Sequence, residues 1–275
     1  LNQTSYKQLW FESQLHHALE KDELSLQYQP KVDLETGKIK GMEALIRWNN
    51  PKLGFVSPMD FIPVAEHTGL IHEIGDWVIQ SACAQAKRWE DAGFADVSVA
   101  VNLSAIQFRH KDLHERIITM VAESGLKPQH LEVEITETVV MDNHVTAIHS
   151  LNELDKAGIR TAIDDFGTGY SSLAYLKHLP VSTLKIDRSF LSDTVPDRQD
   201  ELIITAILAM AHSMGLGGVA EGVENSTQRG FLAGLHCDEM QGYLFSKPVG
   251  EDEALELLRI HNTEDGIAGS RIKTA

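Results

Sequence analysis

The sequence has little cysteine, with only Cys83 and Cys237 among its 275 residues. One disulfide is arithmetically possible, but two cysteines in so long a chain are more typical of a reducing compartment. No apolar run approaches the roughly 18 residues that are needed to span a bilayer, and there is no signal-peptide pattern. We therefore expect a cytoplasmic domain, while a membrane anchor elsewhere in a full-length protein stays open.

Basic residues are scarce as well, because 24 Lys and Arg face 40 Asp and Glu, for a formal net charge of −16. A groove for long nucleic acid needs clustered Lys and Arg, and the sequence contains no such run. A small phosphorylated ligand is compatible with this charge, since bound divalent cations reverse the local sign of a carboxylate pocket. The 13 histidines show no zinc-like spacing, so we interpret them as core or surface residues.

Hydrophobic residues are plentiful, at 43% of the chain, so a large core is expected. A length of 275 residues suits two average domains or one α/β barrel. The chain does not begin with Met, and we expect it to be part of a longer protein. We predict a lead helix or linker from an upstream domain at 1–22, a barrel domain at 23–261 and a flexible tail at 262–275.

The hydrophobic pattern predicts eight strands, of which the first two form a hairpin and the others alternate with helices. Repeated βα units imply parallel strands with right-handed crossovers. We therefore predict a TIM-like (β/α)8 barrel, modified so that the first strand is antiparallel to the rest. An open doubly wound sheet is the alternative, but no dinucleotide fingerprint is present. The predicted strands are 24–34, 39–48, 97–104, 131–138, 159–163, 183–190, 216–224 and 240–248.

Helices are predicted between these strands from apolar residues at helical spacing. Each is expected to lie outside the barrel and to return the chain to the start of the next strand. The predicted helices are about 58–67, 71–91, 105–124, 143–157, 200–214, 227–233 and 251–260, with a short one from Ser171 and Ser172 to about Lys177.

Polar residues recur near the carboxyl ends of the predicted strands. Because side chains alternate along a strand, Asn102 lies opposite Val101, and Glu134 lies opposite Val133. We expect these polar groups to converge at the C-terminal mouth of the barrel, where barrel enzymes place their active sites. Taken singly, each is equally compatible with a helix cap or a solvated side chain. Four or five carboxylates around one axis, however, need cations to offset their repulsion.

The stretch GIRTAIDDFGTGYSSL, residues 158–173, contains two adjacent carboxylates, Asp164 and Asp165. Such a pair needs a cation, a shared proton or open water. At the junction of a strand and a glycine-rich loop it indicates a metal site, with solvated turn aspartates as the equal alternative. Both side chains reach one ion only if the strand stops there, and we expect Gly167 and Gly169 to supply that break.

Eight separate motifs complete the pattern: YQPKVDL, GMEALIRW, NLS, EITET, DDFGTGYSSL, LKIDRSF, AEGVE and QGYLFSKP. Together they span about Leu15 to Leu258, and in this combination the sequence resembles the EAL family of cyclic di-GMP phosphodiesterases. The resemblance implies hydrolysis of cyclic di-GMP to linear 5'-pGpG with two divalent cations, Mg²⁺ or Mn²⁺.

The resemblance also implies roles for individual residues. Asp164 is expected to bridge the two ions, and Asp165 to bind the second. Lys185 is expected to orient or activate the attacking water, and Glu221 to complete the site. The implied ligands of the first ion are Glu43, Asn102, Glu134 and Asp164, and the implied catalytic residues are Lys185, Glu221 and Glu43.

Substrate contacts and a regulatory loop follow from the same resemblance. Arg47 is expected to face a phosphate, and Glu137 to hold the loop that begins with Phe166 and Gly167, where a homodimer contact is expected. An upstream sensory or GGDEF-type domain is the expected partner within a full-length protein. The implied substrate-binding residues are Gln29, Leu45, Arg47, Asp187, Glu224 and Gln241.

Departures from the family pattern are minor. Gly217 and Gly218 stand where bulkier residues are usual, and Asn225 stands where Thr is common. No expected metal ligand is replaced. Two alternatives stay open: a receptor that binds cyclic di-GMP without hydrolysing it, and a scaffold that acts through protein contacts.

Overall fold

The chain forms a closed barrel in its computed structural model, which describes residues 3–142, 144–168, 176–191 and 198–263. The sheet order is β1-β9-β8-β7-β6-β5-β4-β2-β3, and pairing of β1 with β2 closes it. The strands of the described ranges are β1 (Leu24–Asp33), β2 (Ile39–Asn50), β3 (Gly54–Val56), β4 (Ser98–Asn102), β5 (Leu131–Thr136), β6 (Arg160–Phe166), β7 (Thr183–Ile186), β8 (Gly217–Ala220) and β9 (Glu239–Met240).

The first strand runs against both of its neighbours. β1 and β2 form an antiparallel hairpin in which Gln29 lies opposite Glu43, and β1 also pairs with β9 in antiparallel fashion. All pairs from β4 to β9, and the β2–β4 pair, are parallel. The turn that connects β1 to β2 is stabilised by a hydrogen bond, in which Asp33 Oδ1 accepts from the Thr36 amide at 2.7 Å. The predicted barrel with a reversed first strand is therefore confirmed.

Helices surround the barrel and seal the outer faces of its strands. Ser57 caps α2 by accepting from the Met59 amide, and Ser104 forms a capping box with Gln107 at the start of α4. The helices of the described ranges are α1 (Gln3–Ala18), α2 (Pro58–Thr68), α3 (Ile71–Asp91), α4 (Ala105–Phe108), α5 (Leu113–Ser124), α6 (Glu137–Asp142), α7 (His144–Lys156), α8 (Arg198–Ser213), α9 (Ser226–Gly234) and α10 (Glu251–Asn262).

One predicted helix was wrong in extent, and one helix was missed. The predicted helix 105–124 is split into α4 and α5, because the chain turns at 109–112 before Asp112 precedes the second helix. The predicted helix 143–157 corresponds to α7, but a further helix, α6, begins directly after β5. The predicted helix start at Ser171 and Ser172 lies outside the described residues.

Three predicted strands end four or more residues earlier than expected, and one strand was missed. The strand predicted to reach 190 ends at Ile186, because Asp187 accepts from the Ser189 amide and begins a 3-10 turn. The strand predicted to reach 224 ends at Ala220, shortly before Gly222 takes a φ of 67°. The last strand is only Glu239–Met240. The additional strand is β3, which pairs with the end of β2.

The apolar core lies between the strands and the helices, whereas the barrel interior carries most of the buried charge. Trp48 is completely buried and makes edge-to-face contacts with Phe11 and Phe61, which fix α1 and α2 against β2. Gly218 permits close packing of α8, since a Cβ there would approach Leu208 Cδ2 to 2.5 Å. Within the described ranges, every helix is too short or too polar to cross a bilayer.

Candidate active site

The Lys185 ammonium is the centre of the polar cluster inside the barrel. Lys185 lies near the end of β7, and its side chain is 1% exposed. Its Nζ contacts four carboxylates, at 2.5 Å from Glu134, 2.7 Å from Glu221, 3.2 Å from Asp164 and 3.6 Å from Glu43. These residues come from the middle of β2, the carboxyl halves of β5 and β6, and the segment after β8, so the structure brings them together as the alternation predicted.

Glu43 is fixed by two amide side chains. Its Oε1 accepts from Asn102 Nδ2 and its Oε2 accepts from Gln241 Nε2, each at 2.6 Å. Gln241 also donates to Gln29 Oε1 at 2.9 Å. Since the Asn102 amide uses its nitrogen here, its oxygen remains available as a ligand. Gln29, Asn102 and Gln241 therefore belong to the same cluster as Glu43.

Asp164 and Asp165 point to the same region because the backbone takes a left-handed conformation at Asp165. Asp165 has a φ of 53°, a left-handed conformation that Asp tolerates better than most residues. The pairing of β6 with β7 is irregular between Ile163 and Phe166. The expected break was thus assigned to the wrong residues: it occurs at Asp165 itself, before Gly167, while Gly169 lies outside the described residues.

A divalent cation suits this cluster by the chemistry of its donors. One ligand oxygen each from Asp164, Asp165 and Glu221 lie within 4.8 Å of one another. Hard oxygen donors of this kind are those that Mg²⁺ and Mn²⁺ prefer. One ammonium among four carboxylates also leaves a surplus of negative charge. The donor set therefore fits one or more divalent ions.

The ionisation of the cluster reflects this crowding. Burial raises the pKa of Glu134 to about 8, although Lys185 opposes the shift. Burial, with the charges of Asp164 and Glu43, raises the pKa of Glu221 to about 7. Burial and the neighbouring Asp164 raise the pKa of Asp165 to about 6. Additional positive charge would favour the ionised form of all three groups.

Two adjoining cavities open at the mouth of the barrel. The cavity over the carboxylates measures about 240 Å³ and is lined by Gln29, Glu43, Leu45, Asp164, Arg188, Glu221, Gly222, Glu224, Gln241, Gly242 and Tyr243. A more apolar cavity of about 310 Å³ lies between β2, β4, α2 and α3, and Leu45 lines both. Arg47 lines this second cavity, and its Nε donates to Gln27 Oε1 at 2.8 Å.

The remaining predicted site residues lie at the rim of the cluster. Asp187 caps the turn after β7 and shares a side-chain hydrogen bond with Asp165. Glu137 is buried at the start of α6, and its Oε2 accepts from the Gly167 amide at 3.3 Å. Phe166 is buried at the end of β6. Glu137 thus contacts the backbone that follows the carboxylate pair, Asp187 contacts the Asp165 side chain, and neither lines the smaller cavity.

Four residues near the site were not predicted from the sequence. Arg188 and Tyr243 line the smaller cavity. Arg188 fits there because residue 222 is a glycine, since a Cβ on Gly222 would lie only 2.4 Å from the Cβ of Arg188. Lys31 and Glu132 form a buried ion pair deeper in the barrel. Alternation along β1 places Lys31 on the same face as Gln29, a signal that could have identified it.

Comparison with known proteins agrees with this geometry. The EAL domain family model matches residues 12–248. MucR of Pseudomonas aeruginosa, a bifunctional diguanylate cyclase/cyclic di-GMP phosphodiesterase, is 44% identical over 93% of this chain and 37% of its own length. The cyclic di-GMP phosphodiesterase NbdA of the same organism is 41% identical over 93% of this chain and 33% of its own length. The chain therefore spans about a third of the length of these curated relatives.

A solved structure shows the same architecture. The PaMucR phosphodiesterase in complex with c-di-GMP superposes with a TM-score of 0.86 and 44% identity, covering 89% of this chain and 99% of that one. Because the family model and these relatives match most of the residues that build the barrel and its carboxylate cluster, the chain belongs to the EAL domain family.

Proposed function

We propose that this chain is a metal-dependent phosphodiesterase that hydrolyses cyclic di-GMP to linear 5'-pGpG. The observation that carries the proposal is the convergence of four carboxylates on the Lys185 ammonium beneath an open cavity. Family membership supports it, since MucR and NbdA are named as cyclic di-GMP phosphodiesterases.

The proposed cofactors are two divalent cations, Mg²⁺ or Mn²⁺. Asp164 would contribute a ligand to both sites, and Asp165 would hold the second ion. Ions bound in such an arrangement supply an activated water and stabilise the attacking and leaving oxygens of an in-line displacement. The proposed ligands of the first ion are Glu43, Asn102, Glu134 and Asp164.

The chain's own residues position the reacting groups. Lys185 orients the attacking water and offsets the negative charge that develops on the phosphate oxygens. Glu221 lines the cavity and lies 2.7 Å from Lys185 Nζ, so it fixes this ammonium beneath the cavity. Glu43 keeps its orientation through the amides of Asn102 and Gln241. The result is a pre-organised polar site that needs little rearrangement during the reaction.

Substrate contacts are proposed around the smaller cavity. Gln29, Leu45, Glu224 and Gln241 line it directly. Arg47 approaches from the second cavity and is proposed to bind a phosphate, whereas Asp187 acts through its contact with Asp165.

The chain is further proposed to act as one module of a longer cytoplasmic signalling protein, with a sensory or GGDEF-type domain before the barrel. The proposed division is 1–22, 23–261 and 262–275. A homodimer is proposed to form near the loop that follows Gly167, with Glu137 and Phe166 linking that contact to the metal site. Light scattering at several concentrations tests the dimer, since a monomer throughout would contradict it.

The enzymatic proposal is tested by product analysis of cyclic di-GMP incubated with Mg²⁺ or Mn²⁺. We expect the wild type to form pGpG, EDTA to stop the reaction, and Glu43→Ala to abolish it. Glu35→Ala, in the exposed turn after β1, is the matched control and should retain full activity. Circular dichroism establishes that both variants fold. Tight binding of cyclic di-GMP by the wild type without any product would favour the receptor alternative.

A further inference from the structure

Lys31 lies beneath the site, on the reversed first strand. Its side chain is 3% exposed, and the structure leaves room for it at Gly41, its partner on β2. A Cβ on Gly41 would lie 3.3 Å from Lys31 Cε and 2.6 Å from Ser98 Oγ. Lys31 is therefore built into the barrel interior, with little freedom to move.

The Lys31 ammonium is held in place by Glu132, on the side away from the mouth of the barrel. It forms an ion pair with Glu132 Oε1, while the other oxygen of Glu132 accepts from Thr183 Oγ1 at 3.3 Å. Both oxygens of Glu132 are thus engaged, and the carboxylate is 4% exposed. A buried charge held in this way strongly resists displacement, since movement would leave it unpaired.

From this anchored position Lys31 reaches Glu134, a proposed metal ligand. Lys31 Nζ lies 3.2 Å from Glu134 Oε1, whereas Lys185 Nζ lies 2.5 Å from Glu134 Oε2. The two ammonium groups therefore hold opposite oxygens of one carboxylate. To offer both oxygens to a single ion, Glu134 would have to rotate and give up its bond to Lys31.

This restraint matters because divalent cations differ in how they use carboxylates. Ca²⁺ accepts six to eight oxygens in flexible geometry and readily takes both oxygens of one carboxylate, at about 2.3–2.6 Å. Mg²⁺ demands near-octahedral geometry at about 2.0–2.1 Å, which single oxygens satisfy. A carboxylate that is limited to one oxygen therefore favours the smaller ion.

We propose that Lys31 is a positioning residue that makes the site select Mg²⁺ and Mn²⁺ over Ca²⁺, because it holds Glu134 to a single ligand oxygen. The inference rests on the metal site of the proposed function. Lys31 acts through Glu134 and contacts neither the ion nor the substrate.

The test is direct binding of Mn²⁺ and of Ca²⁺, measured by titration calorimetry on the whole chain without substrate. We expect Lys31→Met to lower the ratio of Mn²⁺ affinity to Ca²⁺ affinity by about tenfold or more, as changes to groups that orient metal ligands commonly do. The ratio is the informative quantity, because loss of one positive charge alters the attraction of both divalent ions alike.

Two further variants keep the test decisive. Lys40→Met removes a half-exposed lysine from the neighbouring strand and should leave the ratio unchanged. Lys31→Met/Glu132→Gln removes one charge of each sign, so it restores the buried charge balance if the single variant does not fold. A merely structural role for Lys31 predicts that this double variant has the wild-type ratio, whereas positioning predicts that its ratio stays low.

The affinity ratio tests the role of Lys31, whereas binding of either ion by the wild type tests the metal site of the proposed function. A ratio within twofold of wild type in Lys31→Met or in the double variant would overturn the positioning role alone, as would a wild type that binds Ca²⁺ as tightly as Mn²⁺. A wild type that binds neither ion would overturn the metal site itself.

Discussion

The barrel interior contains two charged layers that are built from similar side chains but differ in balance. The mouth layer consists of Lys185, Glu43, Glu134, Asp164 and Glu221, where one ammonium contacts four carboxylates. The lower layer consists of Lys31, Glu132 and Thr183, where the Lys31 ammonium pairs with the fixed carboxylate of Glu132 and also contacts Glu134 of the mouth layer. The mouth layer borders a cavity, whereas Lys31 and Glu132 are closed off from solvent.

The pKa shifts of the buried carboxyl groups also differ between the two layers. The Lys31 and Arg160 charges hold the pKa of Glu132 below its usual value, even though burial opposes this shift. In the mouth layer, burial and repulsion between carboxylates raise the pKa of Glu134 and of Glu221. Neighbouring cations thus keep Glu132 of the lower layer ionised, while the mouth layer needs additional cations. Function is expected where the charge is unbalanced, and structural support where it is balanced.

The largest expected effect is on catalysis in the mouth layer. Lys185→Met should lower turnover of cyclic di-GMP by about 10²–10³-fold, because a buried donor aimed at developing charge is worth about that much. Steady-state kinetics measures it, with Lys156→Met, which is 70% exposed, as the control. Turnover within threefold of wild type would remove Lys185 from the proposed mechanism.

The lower layer should respond in stability instead. Lys31→Met leaves Glu132 buried without its partner and should cost about 3 kcal/mol of unfolding free energy, as broken buried ion pairs do. Urea denaturation of the metal-free protein measures the loss. An unchanged unfolding free energy in Lys31→Met would show that the ion pair of the lower layer does not support the fold.

A smaller effect is expected at the boundary of the mouth layer. Glu137→Ala removes the acceptor of the Gly167 amide, so the backbone beside Asp165 should loosen and turnover should fall about tenfold. Kinetics as a function of Mn²⁺ concentration measures it, and Thr138→Ala, exposed on the same helix, is the control. An unchanged rate and metal dependence would show that this contact does not position the carboxylates.

The smallest effect concerns pH in the metal-free protein. Glu221 has a folded-state pKa of about 7, above its usual value of 4.5, because of burial. Between these values the folded state binds more protons than the unfolded state, so stability should fall as pH rises. Urea denaturation in EDTA should show that Glu221→Gln reduces this fall, while Glu256→Gln, which is exposed, does not. Equal slopes of unfolding free energy against pH in both variants would contradict the effect of burial on the pKa of Glu221.

Sequence patterns were informative wherever a strand period fixed the direction of a side chain. They predicted the reversed first strand and the convergence of Glu43, Glu134 and Lys185, because alternation and parallel pairing determine both. They placed the break of β6 at the glycines, whereas it lies at Asp165. A left-handed aspartate depends on tertiary contacts that local sequence does not encode.

Strand ends and supporting residues were harder to predict for the same reason. The strand predicted to reach 248 ends at Met240, because Gly242 then packs against the backbone of Val223. Alternation along β1 places Lys31 on the same face as Gln29, but only closure of the barrel brings it to Glu134. Arg188 enters the cavity because of its packing against Gly222, a residue distant in the chain.

We expect the unbalanced charge of the mouth layer to bind divalent cations and the lower layer to bind none. Anomalous diffraction from crystals grown with Mn²⁺ tests it most directly. We expect anomalous density among the carboxylates of Asp164, Asp165 and Glu221, and none beside Glu132. Absence of density at the mouth, or an ion bound at Glu132, would contradict it.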